Sequence, residues 1–123
     1  MNLVDSCGWM EFFTDGHLAD KYYSYLKHPR NLIVPAIILY EVYKTIKMQG
    51  TEEEALLAIA QIQNSKIIPL TESIALEAAD LSLEYKLPMA DAIIYATANI
   101  MKAKVITSDV HFEKLPNVVY LKK

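Results

Sequence analysis

The sequence predicts an α/β fold of three layers, with a central, mainly parallel sheet of about five strands between two layers of helices. Short runs rich in β-branched residues alternate with longer segments in which apolar residues recur at helical spacing. The chain has 123 residues, of which 53% are hydrophobic. This length suits one domain, residues 1–123, with a substantial core.

The first part of the chain predicts one strand and two helices. Residues 2–4 form a short apolar run that stops at an acid, and residues 6–14 carry aromatic side chains at helical spacing. Residues 17–28 show a second amphipathic helical pattern, which ends at Pro29.

The middle of the chain predicts a strand followed by two helices. Residues 32–34 are the strand, and Pro35 suits the first turn of the next helix because proline has no N–H to leave unpaired there. That helix covers residues 36–48 and ends at Gly50. The letters Thr-Glu-Glu-Glu that open residues 51–64 match a capping box, which predicts another helix.

The last half of the chain continues the alternation. A third strand is predicted at residues 66–70, where Pro69 favours an edge position or an early end. Two helices, a fourth strand, a short helical turn and a final strand complete the fold; apart from the turn, these elements cover residues 72–85, 88–102, 104–107 and 118–121.

Composition narrows the cellular setting. The single cysteine, Cys7, has no partner for an internal disulfide, and no basic-plus-apolar leader opens the chain, so we expect a soluble protein of the reducing cytoplasm. No apolar run reaches the roughly 20 residues of a membrane span, so no membrane partner is expected. The net charge of −3 argues against indiscriminate binding to long nucleic acids.

Four of the fifteen acids differ from the rest in their surroundings. Asp5, Glu41, Asp91 and Asp109 each lie next to or within apolar segments, whereas the other eleven lie among polar neighbours or on the wet side of a helix. An ionised carboxylate removed from water needs a partner, and no Lys or Arg lies near most of the four in sequence. We therefore single these four out as candidate site residues.

The positions of these acids predict that they meet. Asp5 and Asp109 follow predicted strands, and Glu41 and Asp91 lie in the first two turns of predicted helices. Strand ends and helix starts converge at the carboxyl edge of a parallel sheet. Carboxylates held together there repel one another unless a hard divalent cation is bound, and oxygen-only ligands favour Mg²⁺ or Mn²⁺.

Each acid also has a purely structural interpretation. Asp5 can cap the first helix, Glu41 can be a lone helical carboxylate, Asp91 can be favoured by the helix dipole, and Asp109 can be a turn residue. One shared site explains all four together, so we prefer it.

The sequence resembles a PIN domain, and within that group the short toxins of the VapC type, over essentially its whole length. The resemblance rests on Val4-Asp5-Ser6 followed by Gly8 to Phe13, on Glu41, on Leu87 to Ala92 with Ala96 and Ala98, and on Val105 to Asp109 with Phe112. One departure is visible, since similar proteins often carry a further acid two residues after the one that matches Asp109. Here that position holds His111, which by itself reads as a surface or half-buried histidine.

The resemblance implies an Mg²⁺- or Mn²⁺-dependent endoribonuclease that is a toxin, a cognate antitoxin partner, an RNA substrate and a homodimer. It implies that Asp5, Glu41 and Asp91 bind metal and that Asp109 is a further ligand or an anchor. The hydroxyl groups of Ser6 and Thr107 are candidates for orienting these carboxylates or the phosphate.

Two alternatives remain at this point. An Mg²⁺-dependent phosphotransfer or phosphatase domain also places acids at strand ends, but an aspartate-nucleophile phosphatase shows Asp-x-Asp where this chain has Asp5-Ser6-Cys7. A catalytically silent PIN-like interaction module is the other, and it is disfavoured because all four acids are present.

Overall fold

Five strands and six α-helices alternate along the chain in the computed structural model, which describes residues 1–123. The strands are β1 Asn2–Val4, β2 Ile33–Pro35, β3 Lys66–Ile68, β4 Lys104–Thr107 and β5 Val118–Tyr120. The helices are α1 Ser6–Phe13, α2 Ala19–Leu26, α3 Ala36–Gln49, α4 Glu52–Ile62, α5 Glu72–Tyr85 and α6 Met89–Met101. Two 3₁₀ turns, Pro29–Asn31 and Val110–Phe112, complete the list.

All strand pairs are parallel. β1 pairs with β4 and β4 with β5, while β2 pairs with β3. A parallel bridge between Asn2 and Leu32 joins the two groups, so that the spatial order is β3-β2-β1-β4-β5. The chain thus leaves β1 toward one side and later returns to the other, which places a topological switch point between β1 and β4. The α/β class with a parallel sheet of about five strands is confirmed.

The core lies against this sheet. Its largest cluster contains 27 buried residues and includes the strand residues Val4, Val34 and Ile106. Near-continuous apolar strands are expected when both faces of a parallel sheet are covered. α6 is buried along residues 92–98, so the apolar run around Asp91 belongs to a helix in the interior.

Local signals explain most element boundaries. The Thr51 hydroxyl accepts from the N–H of Glu54, whose carboxylate accepts from the N–H of Thr51, so the capping box is confirmed. β3 ends at Ile68, directly before Pro69, and it has one neighbour, so it is an edge strand. Pro35 precedes the helix and is not in its first turn as we predict: its extended backbone, with φ −58° and ψ 141°, makes it the last residue of β2 and the residue at the N-cap position of α3, where its side chain forms no hydrogen bond.

No helix in the structure combines the length and the hydrophobicity that crossing a membrane requires.

Candidate metal centre

Asp5 lies at the switch point of the sheet, immediately after β1. Its N–H continues the ladder by donating to the Ile106 carbonyl oxygen at 3.0 Å. One carboxylate oxygen caps α1 by accepting from the N–H of Ser6 at 2.7 Å, and the other accepts from the Thr107 hydroxyl at 2.8 Å. With 3% of its surface exposed, Asp5 is a buried residue whose hydrogen bonds tie it to β4 and to the start of α1.

Burial dominates the ionisation of Asp5. Loss of water raises the pKa of its carboxyl group to about 6, although the hydrogen bonds from Thr107 and Ser6 lower it. The negative charges of Asp91 and Asp109 raise this pKa further. The two other acids therefore lie close enough to Asp5 to disfavour its ionised form.

Thr107 connects two of the acids. Its hydroxyl oxygen donates to Asp5 and accepts from the N–H of Asp109 at 2.9 Å. Asp109 in turn accepts from the N–H of His111 at 2.9 Å and starts the short 3₁₀ turn. The end of β4 is therefore held in a fixed relation to the end of β1.

Glu41 reaches the same edge from the second turn of α3. Its Oε1 is buried and has no hydrogen-bond partner. Burial raises the pKa of its carboxyl group, and the charge of Asp5 adds to the rise, with a partial offset from the nearby Ser6 hydroxyl. An unpartnered buried carboxylate oxygen is costly unless a cation or a donor satisfies it.

Asp91 reaches the edge from the first turn of α6. Its side chain is 14% exposed, and burial followed by the charge of Asp109 raises the pKa of its carboxyl group. One oxygen lies 2.8 Å from the Nδ1 of His111. Asp91 thus has a polar partner, and that partner is a residue to which sequence reasoning gave no role.

The structure brings the four predicted acids within electrostatic range of one another but divides them into two subsets. Asp91 and Asp109, with His111, each offer a ligand atom within 4.8 Å of the others. Asp5 and Glu41 lie outside that tight group and are coupled to it through charge. No Lys or Arg forms an ion pair with any of the four, since the single Lys or Arg ion pair joins Lys47 to Glu52.

Three of the four acids also have the ordinary structural roles that the sequence predicts for them. Asp5 caps α1, Asp109 caps the 3₁₀ turn, and Asp91 lies in the first turn of α6. Among the other eleven acids, Glu11 departs from the expected solvated face, because it is half-buried and accepts from the N–H of Leu18 at 3.1 Å. It closes the turn between α1 and α2.

A second group of polar side chains contacts Thr107 and Ser108 at the end of β4, and local sequence patterns do not indicate it. The Tyr22 hydroxyl lies 2.6 Å from the Ser108 hydroxyl, and Cys7 Sγ lies 3.5 Å from the Thr107 hydroxyl. Burial raises the pKa of the Cys7 thiol and that of Tyr22, so both remain protonated at neutral pH. The apolar spacing of α2 indicates that Tyr22 is buried, but nothing local identifies its partner.

The donor set fits a divalent cation. Four carboxylates supply hard oxygen ligands, Glu41 has an unsatisfied oxygen, and burial together with mutual repulsion raises the pKa of three of these groups. A bound cation reverses that balance by favouring the ionised forms. Asp91 and Asp109 each place a carboxylate oxygen within 4.8 Å of the other, and the charge of Asp5 acts on Glu41 nearby.

The fold and this site together define a class of protein: parallel α/β domains with an acidic cluster at the carboxyl edge of the sheet. The sequence profile of the PIN domain family matches residues 3–118. The chain belongs to the PIN domain family, so the phosphotransfer and phosphatase alternative loses its support.

Solved structures agree with this membership. A toxin-antitoxin complex from Klebsiella pneumoniae contains a similar chain, with a TM-score of 0.85, 26% identity and full coverage of both chains. VapBC2 from Rickettsia felis, bound to a DNA fragment from its promoter, matches with a TM-score of 0.78 at 15% identity, covering 98% of this chain and 97% of that one.

A third similar structure is Mycobacterium tuberculosis VapC20, described as a Sarcin-Ricin loop cleaving toxin. It has a TM-score of 0.79 at 13% identity and full coverage of both chains. A comparison with curated protein sequences gave no match. For these last two structures the TM-scores show a shared fold, and identities of 15% and 13% support no closer relationship.

Proposed function

We propose that this protein is an endoribonuclease that uses Mg²⁺ or Mn²⁺ to hydrolyse RNA phosphodiester bonds. The observation that carries the proposal is the buried carboxylate of Asp5, which is coupled through charge to three more acids and forms no ion pair with Lys or Arg. A site of this charge is unfavourable for a polyanion by itself and becomes suitable when cations are bound.

The bound ion would supply an activated water and offset negative charge on the phosphate and the leaving oxygen. Asp5, Glu41 and Asp91 would hold it, directly or through water, with Asp109 as a further ligand or anchor. Thr107 keeps the Asp5 carboxylate and the loop of Asp109 in register through its two hydrogen bonds. The backbone N–H of Ser6 donates to one oxygen of Asp5, which helps to orient this carboxylate.

RNA is the substrate we favour because of the relatives. Mycobacterium tuberculosis VapC20, which shares the fold at 13% identity, is described as a Sarcin-Ricin loop cleaving toxin. The present chain also carries the four acids, Asp5, Glu41, Asp91 and Asp109, on which its resemblance to VapC-type toxins rests. The net charge of −3 includes these acids, so neutralising them with cations leaves an outer surface nearer to balance.

We also propose that the protein is the toxin of a VapBC-type pair, with a cognate antitoxin as its partner. Support comes from the Klebsiella complex, which is 26% identical over both full chains, and from the VapBC2 complex. The chain would act as one domain over residues 1–123, in the cytoplasm, as a homodimer. Sedimentation analysis of the purified chain tests the dimer, and co-purification with the product of an adjacent small gene tests the antitoxin.

The activity has a direct test. Purified, antitoxin-free protein should cleave RNA with Mg²⁺ or Mn²⁺ and stop when EDTA is added. Asp5→Asn and Asp91→Asn should each lower the cleavage rate by about 100-fold or more, because each removes a charged oxygen from the site. Asp80→Asn, at an exposed acid in α5, is the matched control and should keep the wild-type rate.

Cleavage that persists in EDTA, or full activity in both site variants, overturns the metal mechanism. The silent interaction module is the second candidate, because His111 already pairs with Asp91 and Asp109. That alternative predicts antitoxin binding without cleavage of any RNA in any divalent ion.

A further inference from the structure

His111 faces the acidic cluster with a nitrogen atom. Its Nδ1 lies 2.8 Å from an oxygen of Asp91 and 3.2 Å from an oxygen of Asp109. The backbone constrains this geometry, because the N–H of His111 donates to the same Asp109 oxygen and so caps the start of the 3₁₀ turn. The side chain is 52% exposed, so the imidazole lies at the mouth of the site.

These separations match the edges of a metal coordination shell. An octahedral ion with bonds of about 2.1 Å places adjacent ligand atoms about 3.0 Å apart and opposite ones about 4.2 Å apart. The two Nδ1 separations, 2.8 and 3.2 Å, bracket the adjacent value. Nδ1 therefore lies at the distance from each carboxylate that a shared ion requires of neighbouring ligands, and one ligand atom from each of the three residues lies within 4.8 Å of the others.

The residue at position 111 affects which ion the site prefers. Proteins that this sequence resembles often place an acid two residues after the counterpart of Asp109, which would make the site oxygen-only. Replacing that acid with imidazole removes one negative charge and adds a softer ligand. Softer ligands favour first-row transition ions, whereas Mg²⁺ binds nitrogen poorly.

We propose that His111 is a nitrogen ligand of the divalent ion bound by Asp91 and Asp109, and that it shifts the preference of the site from Mg²⁺ to transition ions such as Mn²⁺. This assignment rests on the proposed metal-dependent function and adds the identity of the preferred ion.

The nitrogen can be observed without measuring catalysis. Metal-free protein loaded with Mn²⁺ should show the electron spin-echo modulation of a directly bonded ¹⁴N nucleus. The signal should be absent from His111→Asp, which restores an oxygen ligand. His28→Gln, at an exposed histidine remote in sequence from the acids, is the matched control and should keep the signal.

Affinities give the second readout. Titration calorimetry with Mg²⁺ and Mn²⁺ should give a ratio of dissociation constants, Mg²⁺ over Mn²⁺, that falls about tenfold or more in His111→Asp and is unchanged in His28→Gln. Using the ratio removes the general effect of the added negative charge. Circular dichroism checks that each variant is folded.

Absence of ¹⁴N modulation in the wild-type protein overturns the proposal, as does an unchanged affinity ratio in His111→Asp. Tighter Mn²⁺ binding in His111→Gln also overturns it, because His111 would then compete with the ion for the two carboxylates. RNA cleavage without a nitrogen signal would overturn the assignment of His111 as a ligand but not the proposed nuclease function. A nitrogen signal without cleavage would overturn the proposed nuclease function but not the assignment of His111.

Discussion

At the scale of single residues, Asp5 combines two roles that are usually separate. It caps α1 through Ser6 and is also the most buried acid of the cluster. The cap is an ordinary reason for an aspartate at a helix start, whereas the burial is not. The raised pKa of its carboxyl group, about 6, records the cost of keeping a charge there without metal.

The stability of metal-free protein should therefore respond to Asp5→Asn in a pH-dependent way. The folded-state pKa of about 6 exceeds the ordinary value of 3.8, so the native state binds more protons between these limits and loses stability as pH rises through about 6. Above that pH the charged carboxylate costs roughly 3 kcal/mol, which the amide avoids. Asp5→Asn should thus be more stable than wild type at pH 8, with little difference near pH 4.

Urea unfolding in EDTA at pH 4, 6 and 8 measures this effect. Asp80→Asn serves as the control for loss of an exposed charge. A variant that is less stable than wild type at pH 8 would show that the Asp5 hydrogen bonds outweigh its desolvation.

At the scale of elements, the close packing of α1 on α2 brings Tyr22 to Ser108, which is next to Asp109. Gly8 lies in α1, and a Cβ there would collide with the ring of Tyr22 and a methyl group of Val4. The missing side chain lets Tyr22 come close enough to bond Ser108, next to the loop that carries Asp109. Glycine is thus required for proximity at this helical position.

Gly8→Ala tests that requirement. Alanine is normally favoured over glycine in a helix by about 1 kcal/mol, so a purely local effect would stabilise the protein. The collision predicts the opposite, a net loss of roughly 1–3 kcal/mol in the free energy of unfolding. Urea denaturation provides the measurement, and Ser73→Ala in the exposed part of α5 should change stability by less than about 0.5 kcal/mol. A stabilised Gly8→Ala protein would contradict the packing argument.

At the scale of the whole molecule, folding itself assembles the site. Asp5 and Thr107 are 102 residues apart in sequence, and Asp91 and His111 are 20 apart. The unfolded chain keeps these groups dispersed, so a cation that needs several of them binds the native state selectively. Metal binding and global stability are then linked.

Mn²⁺ should accordingly raise the melting temperature. At a free concentration 100-fold above the dissociation constant, the linkage adds about 2.7 kcal/mol, or roughly 10 °C for a domain of this size. The rise should shrink below pH 6, because protonated Asp5 must lose its proton before binding. Differential scanning fluorimetry of wild type, Asp91→Asn and Asp80→Asn makes the comparison; an equal rise in Asp91→Asn would show that the ion binds elsewhere.

Local patterns in the sequence were sufficient for the elements and for choosing the four acids. Helical and strand periodicity, the capping box at Thr51 and the proline after β3 depend on neighbouring residues, so they can be read without the fold. The apolar surroundings of Asp5 indicated its burial for the same reason. The catalytic and metal-binding roles of the four acids stay predictions.

Contacts between distant residues were decided by tertiary structure alone. Nothing near His111 in sequence indicates Asp91, and nothing near Tyr22 indicates Ser108. The unpartnered oxygen of Glu41 becomes buried when α3 packs against α1 and α6. These contacts depend on strand order and helix packing, which bring together groups that no local pattern relates. The sequence by itself therefore determined which acids to examine, while packing decided that a histidine faces two of them.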